Sequence, residues 1–98
     1  MKLFISQPMR GRSDGEIKAE RNEIICSAKK EYGNDLEVID SFFEGAPVDA
    51  KPLWFLAKSL ELLSTADIAF FAPGWKDARG CKIENLCAKE YGVEVIFE

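Results

Sequence analysis

Four short apolar runs, Leu3–Ile5, Leu36–Ile39, Ile68–Ala72 and Val93–Phe97, alternate along the chain with segments long enough to be helices. Parallel strands need crossovers of about a dozen residues or more, and a helix is the usual way to make one. The alternation therefore confines the chain to a βαβαβαβ order, with a parallel sheet and helices on both faces. The third run is apolar throughout, as a central strand covered on both sides requires. The expected architecture is a three-layer, doubly wound α/β fold with four parallel strands in order 2-1-3-4. With 98 residues, one domain spans 1–98 and holds one modest core without covalent staples.

Local signals support each element. Ser13-x-x-Glu16 reads as a capping box opening a helix whose apolar face is Ile17, Ile24, Ile25, Ala28 and Tyr32, ended by Gly33-Asn34. Pro52 suits a first helical turn, and Leu53, Leu56, Leu60 and Leu63 continue that helix. A third helix is expected from about Gly80 to Tyr91, after the break at Pro73-Gly74-Trp75. The first and third helices are expected on one face of the sheet and the second on the other. Leu3, Ile5, Val38, Ile68, Phe70 and Val95 are expected to be buried. The arrangement is of the flavodoxin-like and Rossmann-like kind.

Composition removes several chemistries. The chain has no histidine, which excludes Ser-His and Cys-His nucleophile pairs and imidazole base catalysis. Cys26, Cys81 and Cys87 are odd in number and lack C-x-x-C spacing, so neither a disulfide framework nor a metal site is expected, and no cofactor is implied. Thirteen Lys and Arg against seventeen Asp and Glu give −4, which argues against a nucleic acid polymer as partner. No apolar run approaches the roughly 18 residues of a membrane span, and Met1–Ser6 passes straight into a strand pattern. A cytoplasmic protein without a membrane partner is the expectation.

Charge is unevenly spread. Residues 1–30 carry seven positive and four negative side chains, residues 31–70 two and eight, and residues 71–98 four and five. The early excess includes Arg10-Gly11-Arg12, a cationic loop that suits a small anion better than a polymer.

Ligands of open parallel sheets bind beyond the carboxyl ends of the strands. Three segments fall there: Ser6 to Gly15, Asp40 to Lys51 and Ala72 to Gly80. In the first, Ser6, Gln7, Pro8, Met9, Arg10 and Gly11 lead into a helix N-terminus, whose free N–H groups favour an anion. Neither a dinucleotide fingerprint nor a P-loop is present. In the third, Gly74, Trp75, Asp77, Arg79, Gly80 and Glu84 surround the start of a helix. An ionised carboxylate there can attack an anomeric carbon while a second acid protonates the leaving group. The plainer alternatives are a solvated turn at the first segment and ordinary first-turn acids at the third.

On these residues the chain resembles a small bacterial and phage branch of the nucleoside 2-deoxyribosyltransferase-like superfamily. The resemblance covers nearly the whole chain. Its markers are Phe4-Ile5-Ser6-Gln7-Pro8-Met9-Arg10-Gly11, Ala66-Asp67, Pro73-Gly74-Trp75, and Ala78-Arg79-Gly80 followed by Glu84. Gly80-x-x-x-Glu84 is similar to the superfamily's nucleophile motif, which implies Glu84 as the group that takes the deoxyribosyl moiety. Arg10-Gly11 resembles the phosphate-side loop of its nucleotide N-glycosidase members. Where active relatives carry a polar aromatic and an aspartate, this chain has Phe4 and Ser59.

The resemblance implies a small-molecule nucleoside or nucleotide as partner, with Glu84 as nucleophile and Asp77 as candidate acid. Ser6, Gln7, Pro8, Met9, Arg10, Gly11, Ser59, Gly74, Arg79 and Gly80 would line the substrate site, with Trp75 or Phe43 stacking on the base. A binding module that recognises a nucleotide without turning it over is the alternative, favoured by Ser59. A third reading is an interaction protein using Trp54, Phe55, Phe42 and Phe43. A homodimer or larger homo-oligomer is expected, with the helix from Pro52 in the contact.

Overall fold

A computed structural model describes residues 1–41 and 46–97. The elements run β1 (Lys2–Ser6), α1 (Asp14–Tyr32), β2 (Glu37–Val38), α2 (Pro52–Leu63), β3 (Ile68–Phe71), a 3-10 turn (Trp75–Asp77), α3 (Arg79–Glu90) and β4 (Glu94–Phe97). The sheet is parallel throughout, in the expected order β2-β1-β3-β4.

Helix α1 starts where Ser13 Oγ accepts a hydrogen bond from the Glu16 amide at 3.2 Å. The Glu16 carboxylate takes its bond from the Ser13 hydroxyl, at 3.1 Å, rather than from the Ser13 amide as in a full capping box. The helix closes on Gly33, whose amide donates to Lys29 O at 2.9 Å. Strand β2 pairs over only two residues, with Leu36 buried just before it.

The helices are not shared between the faces as expected. Alone on its face, α1 packs Ile24 and Ala28 against Leu3, Ile5, Ile68 and Ala72. On the other face α2 and α3 lie side by side, and Leu63 and Ala88 pack against Phe4, Ala69 and Phe71. Direction of travel explains the correction. The crossover from β1 to β2 moves one way along the sheet, and those from β2 to β3 and β3 to β4 move the other way. Crossovers of a single right hand must then place α1 opposite α2 and α3.

The same layout explains a second departure. Leu3, Ile5 and Ile68 are buried as expected, but Val38, Phe70 and Val95 are only half-buried. Val38 and Val95 lie on the edge strands β2 and β4. Phe70 faces the α1 side, where one helix about 10–12 Å wide cannot cover four strands spaced about 4.8 Å apart. Among the described residues, no helix is long and apolar enough to cross a membrane.

Candidate functional site

Strands β1 and β3 are neighbours, yet the chain leaves β1 toward α1 on one face and β3 toward α3 on the other. This is the point where strand order reverses, the place at which open parallel sheets take their ligands. Parallel register aligns Ser6 with Phe71 and Phe71 with Phe97, so one row of side chains crosses the end of the sheet. All three face α2 and α3, because Phe4 and Phe71 belong to that core and side chains alternate along a strand.

The buried carboxylate at this place is Glu84. Cys81, Glu84, Asn85 and Ala88 form the buried stripe of α3. The carboxylate of Glu84, 7% exposed, accepts a hydrogen bond of 2.7 Å from the Ser6 hydroxyl at the end of β1. Burial pushes its pKa upward, and hydrogen bonding from Ser6 and from Ser59 on α2 opposes the rise. The neighbouring Cys81 thiol is pushed up to about 11, chiefly by burial, with the Ser6 hydrogen bond opposing and the Glu84 charge adding to the rise. Cys81 is therefore a protonated packing residue at neutral pH, not a nucleophile.

The loop after β1 divides its residues between bracing and exposure. Gln7 is buried and turns toward α1, where its Nε2 donates to Ile17 O at 3.0 Å and to Glu20 Oε1 at 2.9 Å. Arg12 Nη1 donates to Pro8 O at 2.8 Å and to Glu20 Oε1 at 3.0 Å. Held at both ends, the loop presents Met9, Arg10 and Gly11 to solvent. Arg10 has the exposure that an anion ligand needs, whereas Arg12, its twin in sequence, belongs to the scaffold.

Pro8 reaches across to the second loop. Gly74 has φ +87°, a conformation that favours glycine, and a Cβ added there would lie 3.6 Å from Pro8 Cγ. Beyond it, Trp75 stacks on Phe97, with ring centroids 5.5 Å apart and planes at 24°, and tilts against Phe71 at 5.7 Å. Lys76 and Lys89 each bring Nζ to 5.8 Å from the Trp75 ring. Residues 73–77, with Phe71 and Phe97, line an open depression of about 400 Å³.

Asp77 and Arg79 are exposed and Gly80 is half-buried, and neither hydrogen bonding nor charge brings Asp77 into the Glu84 cluster. Ser59, half-buried on α2, does face Glu84. Phe43 lies outside the described residues.

Two buried polar residues escaped the sequence reading. Arg21, 9% exposed on α1, donates from Nη2 to Ile39 O at 2.7 Å and from Nη1 to Ser41 Oγ at 3.2 Å, and Ser41 Oγ donates to Ile5 O at 3.2 Å. Burial lowers its pKa, against the pull of Asp40. It ties the carboxyl ends of β1 and β2 together on the α1 face. Its signal was periodic: Arg21 continues the stripe Ile17, Ile24, Ala28. Asn85, on the buried stripe of α3, has an Nδ2 without a hydrogen-bond partner among the described residues.

No known protein family, curated protein or solved structure matches the chain.

Proposed function

We propose that the protein binds a nucleoside or nucleotide and cleaves or transfers at its N-glycosidic bond, with Glu84 as nucleophile. The observation that supports this reading is the buried Glu84 carboxylate, held by the Ser6 hydroxyl at 2.7 Å where the strand order reverses. Buried carboxylates are rare unless paired or functional. In the first step a Glu84 oxygen bonds to C1′ and the C1′–N bond breaks. Its electron pair leaves with the base, which takes up a proton from Asp77 or water. In the second step water attacks C1′ and releases the free sugar, or the nitrogen of another base attacks and completes a transfer, regenerating the carboxylate. Arg10 anchors phosphate or sugar hydroxyls, and Trp75 with the depression beside it receives the base.

A specific observation favours a second reading, a binding module that does not turn its ligand over. Ser59, not an acid, faces Glu84, and Asp77 stands exposed. Chromatography for free base from 2′-deoxynucleosides and their monophosphates separates the two readings. Release of base supports the enzyme; tight binding of a monophosphate with no release supports the module. In either case Arg10→Ala is expected to weaken monophosphate binding about ten- to hundredfold, the scale of a charged hydrogen bond, as read by calorimetry. Unchanged affinity would remove Arg10 from the site.

We also propose that the protein works in the cytoplasm as a homodimer joined through the outer side of α2 and α3. Only Leu63 of α2 is buried within the single chain. Leu53 of α2 is 71% exposed, and Ile83 and Leu86 of α3 are exposed as well. The exposed Lys58–Glu61 pair puts both signs of charge on α2, so two copies of α2 lying antiparallel can exchange these partners. Sedimentation is expected to give twice the 11.0 kDa chain mass. Lys58→Glu and Glu61→Lys should each weaken self-association, and mixing the two variants should restore it as a heterodimer. A concentration-independent monomer would reject the interface.

A further inference from the structure

We propose that Ser6 is the positioning residue of this site: its hydroxyl, at the end of β1, holds the Glu84 carboxylate in place where, among the described residues, no cation pairs with it. The inference rests on reading Glu84 as the reacting group, and its test reads Glu84 directly.

A carboxylate taken out of water needs a counter-charge or hydrogen bonds that satisfy it. Among the described residues, ion pairs join Arg12 to Glu20 and Lys58 to Glu61, and none reaches Glu84. Among the described residues, the groups that act on Glu84 are neutral. From β1 comes Ser6, 2% exposed, and from α2 comes Ser59. On its own helix lies Cys81, a protonated thiol at neutral pH. Lys76 and Asp77 of the 3-10 turn are exposed and do not act on its titration.

At 2.7 Å the Ser6 bond has the ordinary length of a well-formed O–H···O hydrogen bond. Its donor cannot drift. Ser6 is the last paired residue of β1, and the Ala72 amide donates to its carbonyl at 2.9 Å. A hydroxyl has one proton, and the 2.7 Å bond directs that of Ser6 to Glu84 and not to a ligand. Ser6 therefore serves the substrate through Glu84 rather than as a hydrogen-bond donor to it.

The experiment follows the Glu84 side-chain carbonyl by carbon NMR in protein labelled at glutamate, with Glu84→Gln identifying the signal. In Ser6→Ala, the Glu84 midpoint is expected to move up by about one pH unit, the size of a hydrogen bond to a charge. Ser6→Thr, which keeps the hydroxyl, should return it toward the wild-type value. Ser6→Cys, with a weaker donor of similar size, should shift it part of the way and serves if the alanine variant does not fold. Where base release is observed, the acid limb of its pH profile should move with the midpoint. A folded Ser6→Ala or Ser6→Cys protein with an unmoved midpoint would overturn the proposal. A moved midpoint in a protein that releases no base would leave Ser6 in its role and remove the glycosidic reading.

Discussion

Glu84→Gln is expected to bind a nucleoside monophosphate as tightly as the wild type, to lose base release by about 10³-fold or more, and to be the more stable protein. The amide retains shape and can still accept the Ser6 hydrogen bond, but it cannot form the ester that a carboxylate forms with C1′. The stability effect follows from linkage. Burial raises the pKa of Glu84 in the folded state above its ordinary 4.5. Between the two values the native chain binds the extra proton, so the contribution of Glu84 is fully present below the unfolded value and is lost as pH rises through the folded one. Ionising the buried carboxylate is a cost to the folded state, and glutamine removes it. The gain is expected on the order of 1 kcal/mol, or about 4–8 °C in melting temperature for a chain this size, shrinking on acidification below the ordinary carboxylate range. Undiminished base release would remove Glu84 as nucleophile. A less stable variant would mean that hydrogen bonding to the charged form outweighs burial.

Phe71→Ala is expected to cost about 3–5 kcal/mol, as a loss of denaturation midpoint in urea. Phe71 is 1% exposed on a central strand and packs with Phe4, Leu63, Ala69 and Ala88. Against a total of roughly 5–15 kcal/mol for a small domain, the substitution brings the chain close to unfolding. Phe71→Leu retains most of the volume and should cost less than half as much. The alanine variant should also quench or shift Trp75 fluorescence before global unfolding, since Phe71 is one wall against which that indole rests. A loss below about 1 kcal/mol would mean that the core does not close on this ring.

Strand order was legible because it rests on two local signals, alternation of apolar runs with helix-length segments and a third run apolar throughout. The faces of the helices were not, because they depend on which way each crossover travels, and chain order alone suggests a simple alternation. Burial of Phe70 was overestimated for the same reason: a central strand is covered on both sides only where helices suffice to cover it. At the site, Glu84 and Trp75 stand out as residues at a helix start and a loop break. The role of Ser6 did not, since its partner lies 78 positions away and only strand register brings them together. Arg10 and Arg12 look alike in sequence, and Glu20, nearly two turns inside α1, with Pro8 O distinguishes the brace from the exposed cation. Arg21 was concealed by its type, since a charged residue in an amphipathic helix reads as solvent-facing even when its spacing says otherwise.

The contact between Ser6 and Glu84 makes the site a report on the folded state as a whole. Side chains alternate with a period of two along a strand, so a slip of one residue in β1 would turn the hydroxyl to the α1 side and dissolve the arrangement. Neither a docked helix pair nor a lone β1–β3 ladder contains it; both must be complete. A ligand that recognises this site consequently has no affinity for partly folded chains, and its binding energy adds in full to the stability of the native state. Saturation at a hundredfold over the dissociation constant then contributes about 2.7 kcal/mol. Thermal shift with a panel of nucleosides and nucleotides is thereby a direct census of what the site accepts, readable whether or not the bound molecule is ever turned over.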